Sequence, residues 1–274
     1  MKKILITLLV AIAALTACKK AEQPAATEAA TPEATLQVLK VGATPVPHAA
    51  ILELIKDDLK AAGVELEIIE FTDYVTPNIA LNDGQIDANF FQHQPYLDSF
   101  IAEHSMDLVS LGGIHVEPLG LYSQKMTEIG ELADGATIAI ANDPTNEGRA
   151  LLLLQANGLL TVNPEAGLEA TPIDIVENPK NLKFSELDAA QLPRVLEDVD
   201  AAIINGNYAM EAKFNPEKDA LILEGAESPY VNIITIKKGM ENDPRLQALM
   251  TALKSDKVKT FISENYAGGV VAVF

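Results

Sequence analysis

What most restricts the fold is an alternation running the length of the chain. Short apolar runs of strand length are each followed by a stretch with helical spacing. "LQVLKVGA" reads as a buried strand ending at Gly42. "PVPHAAILELIKDDLKAAG" follows, with Ala50, Ile51, Leu54, Ile55 and Leu59 at helical spacing and Gly63 at the capping position. "VELEIIEF" alternates as a strand, "TPNIALNDG" is a short helix closed by Gly84, and "IDANFF" is a strand. Pro95 then opens a helix to about Glu103, since proline suits a first turn. Beyond "GGIHVEPLGLYSQK" the pattern resumes with strand "ATIAIA", helix "NDPTNEGRALLLLQANG", strand "TPIDIVE", short helix "DAAQLPRVLED" and strand "VDAAIIN". "DALILEG" and "VNIITIKKG" are further strands, and Asp243 caps a last helical region. Such alternation builds open α/β sheets flanked by helices. Two lobes are expected, one from residues 36–122 plus 229–274 and one from 123–228, with "PLGLYS" and "NIITIKK" as the two crossing strands.

The amino-terminal segment stands apart. Lys2 and Lys3 precede an apolar run from Ile4 to Leu15, which is short of the roughly 20 residues a bilayer requires. It fits a signal peptide over residues 1–17. The run ends in Leu15-Thr16-Ala17-Cys18, which resembles a bacterial lipobox with Cys18 as the lipidated residue. Cys18 is the only cysteine, so no disulfide can form within the chain. Residues 18–35 are then the lipidated cysteine and a flexible tether, because "KKAEQPAATEAATPEAT" has too little apolar surface to offset its ordering entropy. The address is the bacterial cell envelope, held to a membrane by lipid alone.

Charge and motifs exclude several functions. A net charge of −19 makes nucleic acid a poor partner. The four histidines, His48, His93, His104 and His115, form no His-Glu-x-x-His pattern. There is no Gly-x-Ser-x-Gly elbow and no glycine-rich phosphate loop. No enzyme activity, cofactor or metal is expected. The competing reading is a zinc-binding lipoprotein whose histidines converge in space, since imidazole suits zinc.

A ligand site is legible in pieces. "NDPTNEGRALLLL" crowds Asn142, Asp143, Thr145 and Asn146 at a helix start, where free N–H groups favour an anion. Arg149 lies within the first two turns, and its planar fork matches a carboxylate. Asn205 follows an apolar strand and Asn232 begins one; an amide can serve either an ammonium or a carboxylate. These groups suit a free amino acid, its carboxylate on Arg149 and its ammonium on Asn205 and Asn232. "NFFQHQPYLDSF" concentrates four Phe or Tyr residues in twelve positions of a chain without tryptophan. Phe91, His93 and Tyr96 fall at a strand-to-helix junction, where α/β sheets bind ligands, and Tyr74 lies at another. Alternation on a strand leaves Phe90 to the core. Ring walls suit a thioether.

The order of "DYVTPN", "NFFQHQPYLD", "VEPLGLYS", "NDPTNEGRALLLL" and "SPYVN" resembles the NlpA/MetQ lipoprotein family, the substrate-binding proteins of methionine ABC importers. The resemblance runs from about Val41 to the carboxyl terminus. It implies a type II periplasmic-binding-protein fold whose two lobes close on methionine or a methionine-like ligand such as D-methionine or a dipeptide. It places the family's motif positions on Tyr74, Phe91, His93, Tyr96, Arg149, Asn205 and Asn232. In "NGNYA" the family's asparagine matches Asn205 better than Asn207. The implied protein is a monomer that delivers its cargo to a permease driven by separate ATPase subunits.

Overall fold

A computed structural model describes residues 36–225 and 228–274 of the chain. The signal peptide, Cys18 and the tether lie outside the described residues. The strands are β1 (Gln37–Ala43), β2 (Val64–Glu70), β3 (Ala88–His93), β4 (Leu108–Val116), β5 (Gly120–Tyr122), β6 (Thr137–Ala141) and β7 (Thr161–Val162). After them come β8 (Ile175–Glu177), β9 (Lys183–Leu187), β10 (Ala201–Ile204), β11 (Ile222–Leu223), β12 (Val231–Lys237) and β13 (Val271–Ala272). One sheet has the order β13-β4-β12-β3-β1-β2 and a second the order β11-β5-β10-β6-β9; β7 and β8 pair by themselves.

The central strands of each sheet are buried on both faces, and the strand period explains how. In β10, Ala201 and Ile203 join the cluster containing Ile138, Ile140, Leu151 and Leu154, while Ala202 and Ile204 join the opposite one with Leu192 and Leu196. Successive side chains point to opposite faces, so a four-residue apolar run serves two layers. In the first sheet Leu39, Val41 and Phe90 pack with Ile51, Leu52, Ile55, Ile234 and Leu249. Full burial of each such side chain contributes roughly 1.5–3 kcal/mol.

The chain passes from the first sheet to the second between β4 and β5 and returns between β11 and β12. The two passages are bonded together, Glu224 N–H donating to Leu119 O at 2.8 Å and Leu119 N–H to Glu224 Oε2 at 3.2 Å. Across the cleft, Tyr208 Oη donates to Thr72 O at 3.2 Å and Tyr74 Oη to Asn207 Oδ1, so the facing surfaces are in contact. Among the described residues no helix is long and apolar enough to cross a membrane.

Several elements differ from the sequence reading. The expected helix after β1 is two, Ala50–Leu54 and Lys56–Ala61, broken at Ile55. The last helical region is likewise two, Pro244–Leu253 and Asp256–Tyr266, with Ser255 capping the second. Strand β4 was not expected at all. Its centre holds Gly112, at φ +147°, and Gly113, where a Cβ would lie 2.6 Å from Val231 Cγ1. The glycines let β12 approach, and they erase the alternation by which a strand is recognised.

Candidate functional site

The strand ends explain why the polar residues meet. β3 ends at His93, β4 near His115, β6 at Ala141 and β10 at Ile204. β12 runs antiparallel to β3 and β4, so its first residues lie at the same edge; Asn232 is in register with His93 on one side and His115 on the other. Between the two sheet edges is a narrow cleft lined by all seven sequence candidates, Tyr74, Phe91, His93, Tyr96, Arg149, Asn205 and Asn232. Gln92, Glu117, Asn146, Gly206 and Asn207 complete the lining and were not selected from the sequence.

One wall is aromatic. The ring of Tyr74 lies 6.0 Å from both Phe91 and Tyr96, and Phe91 lies 6.1 Å from Tyr96. Tyr96 Oη donates to Tyr74 O at 2.9 Å, which ties the loop carrying Tyr74 to the helix Gln94–His104. His93 supports this wall without a free polar atom. Its Nδ1 caps that helix by accepting from Tyr96 N–H at 3.1 Å, and its Nε2–H donates to Asn146 Oδ1 at 3.1 Å. Phe90, one residue away, is fully buried in the first core.

The other wall is a set of amides whose directions can be read from their partners. Asn205 Nδ2 donates to Asn146 Oδ1 at 2.8 Å, which leaves Asn205 Oδ1 a buried acceptor without a partner among the described residues. Asn207 Oδ1 accepts from Tyr74, leaving Asn207 Nδ2 a buried donor without one. His48 Nε2 lies 3.0 Å from Asn232 Oδ1 and 3.2 Å from Glu117 Oε1; two acceptors require a proton on that nitrogen. Thr44 Oγ1–H therefore donates to His48 Nδ1 at 2.6 Å. Asn232 thus turns Nδ2 to the cleft and presents a donor, where the sequence reading placed an ammonium acceptor.

Arg149 is buried on the helix Pro144–Ala156 and held on three sides. Its Nε donates to Glu224 Oε1 at 3.1 Å, Nη2 donates to Glu224 Oε2 and, at 2.8 Å, to Glu117 O. The Tyr230 ring lies 4.3 Å from Cζ. Nη1 is the part of the fork with no partner among the described residues, and it is what Arg149 offers the cleft. The expected anion site at the helix start is occupied from within. The Asp143 carboxylate caps it, accepting from Asn146 N–H and Nδ2–H at 3.0 Å, so those donors are spent.

Behind the cleft His48 and His115 form a buried cluster with Glu117, which lines it. His115 Nε2–H donates to Glu117 Oε1 at 2.8 Å, so that oxygen receives both imidazoles. These three groups could in principle converge on a metal ion, their ligand atoms lying within 4.8 Å. As they stand, both Nε2 atoms carry protons directed at the carboxylate. Burial pushes His48 down to about 4, against the pull of Glu117, and pushes His93 and His115 down to about 3. Burial also raises the Glu117 carboxyl, against His48 and Arg149.

The sign of the pH dependence follows. The unfolded chain takes up these imidazole protons from about pH 6.5 downward and the folded protein does not. Each imidazole therefore contributes stability that is fully present above pH 6.5 and is lost as pH falls toward its folded value. The stability gap between wild type and His115→Gln should shrink by about 1.4 kcal/mol per pH unit between 6 and 4. Urea midpoints read it; a gap that does not move with pH would mean His115 is already charged.

Gly206 sets how close the Asn205–Asn207 turn comes to Glu117. A Cβ there would lie 2.9 Å from Glu117 Cβ and 3.2 Å from its Oε2. Gly206→Ala should cost about 1–3 kcal/mol, as overpacking does. A crystal structure of the variant should show Glu117 displaced; an unmoved carboxylate with an unchanged melting temperature would refute the close fit.

Two helix-flanked sheets closing on one cleft at their strand edges define a periplasmic-binding-protein fold. A model of the NlpA lipoprotein family matches residues 39–274. The chain therefore belongs to that family. It is 47% identical over 234 residues, covering 85% of this chain and 87% of the other, to a protein named probable D-methionine-binding lipoprotein MetQ from Vibrio cholerae. Membrane lipoprotein TpN32 of Treponema pallidum is 44% identical over 236 residues, 86% of this chain and 88% of its own. A nutrient-binding protein from Burkholderia cenocepacia, solved bound to methionine, superposes with a TM-score of 0.84 at 47% identity, over 86% of this chain and 100% of its own.

Proposed function

We propose that this protein is a lipid-anchored binding protein of the bacterial envelope that captures methionine in the cleft and delivers it to an ABC importer. The observation that carries the reading is the pairing of a ring-lined slot with unspent donors and acceptors. Arg149 Nη1, Asn207 Nδ2 and Asn232 Nδ2 suit a carboxylate, and Asn205 Oδ1 suits an ammonium. Tyr74, Phe91 and Tyr96 suit the thioether, each sulfur–ring contact contributing roughly 0.3–1.5 kcal/mol. The methionine bound in the Burkholderia cenocepacia relative and the D-methionine in the name of the Vibrio cholerae one support this class of ligand.

In this reading residues 36–116 plus 231–274, which carry the first sheet, form one lobe and residues 120–223, which carry the second sheet including β5, form the other, a division a few residues earlier than expected; they hinge at the two passages. Methionine docks on the ring wall and closure brings Arg149 onto its carboxylate. A ligand shifts such an equilibrium only by binding the closed form better than the open one. Closure is also when the bonds from Tyr74 to Asn207, from Tyr208 to Thr72 and from His93 to Asn146 form. Cys18 carries the lipid that holds the protein to the membrane. A permease receives the closed monomer, and ATP is hydrolysed by separate subunits. Calorimetry with L-methionine, D-methionine, a methionine dipeptide, norleucine and zinc tests this. Methionine should bind at least several-fold more tightly than norleucine; tight zinc binding with no response to any methionine compound would overturn the reading.

A further inference from the structure

We infer that Glu117 is the group that makes this cleft demand a positively charged amino head on its ligand, an inference that rests on the methionine reading above. The argument is a charge account of the cleft wall. Arg149 is matched by a carboxylate of the chain itself, Glu224, which takes its Nε–Nη2 edge. The Glu117 carboxylate feels Arg149 only through space, since that side chain bonds its carbonyl and not its carboxylate. Glu117 is 5% exposed, lines the cleft, and its nearest donors are uncharged: the Nε2–H of His115 at 2.8 Å and of His48 at 3.2 Å, and the Asn207 backbone N–H. His48 and His115 are themselves too deeply buried to charge readily, and burial works against the Glu117 anion in the same way. The cluster is short of one cation.

The missing cation has a place prepared for it. Gly206 has no side chain, so the turn that carries Asn205 sits directly against the Glu117 carboxylate. Asn205 Oδ1, which has no partner among the described residues, is in that turn. A primary ammonium has three protons to give, and a carboxylate with a neighbouring amide oxygen can receive them. The remaining free groups on the cleft wall, Arg149 Nη1, Asn207 Nδ2 and Asn232 Nδ2, are all donors and would not accept from it. A ligand without the amino group would leave Glu117 and Asn205 Oδ1 buried and unpaired, which is the strongest form of discrimination a polar site has.

Calorimetry with two probes tests this without any variant: L-methionine, and 4-(methylsulfanyl)butanoic acid, which has the same tail and carboxylate but no amino group. The wild type should bind L-methionine at least about 100-fold more tightly. Glu117→Gln should lose most of that ratio, because a neutral amide no longer favours a cation, whereas a merely structural role would weaken both probes alike and keep the ratio. Circular dichroism establishes that the variant is folded. Equal binding of the two probes to the wild type, or an unchanged ratio in folded Glu117→Gln, overturns the inference and leaves the methionine reading standing. Failure of the wild type to bind L-methionine at all overturns both.

Discussion

Arg149→Ala is expected to weaken methionine binding at least tenfold in protein that circular dichroism shows to be folded. The ligand carboxylate is desolvated when the cleft closes, and a desolvated charge left without its partner costs roughly 2–5 kcal/mol. Arg149→Lys should not rescue the loss. The fork is held by Glu224 and the Glu117 carbonyl through Nε and Nη2, and lysine cannot make those bonds while also reaching the cleft. Isothermal titration gives the affinity directly. An unchanged affinity in Arg149→Ala would mean that Arg149 serves only to pair Glu224 and bridge the passages.

The second large effect is on stability. Glu224→Ala should destabilise the protein by about 3–5 kcal/mol, the usual consequence of stripping one partner from a buried ion pair. The Arg149 side chain is only 4% exposed, so water cannot replace the lost carboxylate. Glu224 also accepts from Leu119 N–H, so the variant loosens the contact between the two passages. Methionine should stabilise this variant more than it does the wild type, since its carboxylate supplies the anion that Arg149 has lost. Urea denaturation with and without ligand reads both effects. A loss under about 1 kcal/mol would place the pair with ordinary surface bridges.

Much of the fold was legible because the strands are short, apolar and separated by helical spacing, and because Pro95 and Pro144 open their helices where proline is tolerated. β4 was not legible, since the Gly112–Gly113 pair that admits Val231 also breaks its pattern. Phe90 and Phe91 could be assigned to opposite faces from alternation alone, and they lie in the core and on the cleft. The amides could be located but not oriented. Which end of Asn232 faces the ligand depends on His48, 184 residues away in sequence, and on the tautomer that Glu117 imposes on it. Glu117 itself could not be singled out in a chain with 39 carboxylates. What distinguishes it is burial against two imidazoles, and only the folded chain brings that of His48 beside it. The helix start at Asn142 looked like an anion site because its own cap, Asp143, is a residue type equally at home on an open surface.

The most direct test is a crystal structure of the protein with methionine bound. The account requires the carboxylate on Arg149 Nη1, the ammonium between Asn205 Oδ1 and Glu117, and the sulfur against Phe91 and Tyr96. Methionine bound with its ends reversed, or found outside the cleft, would contradict it.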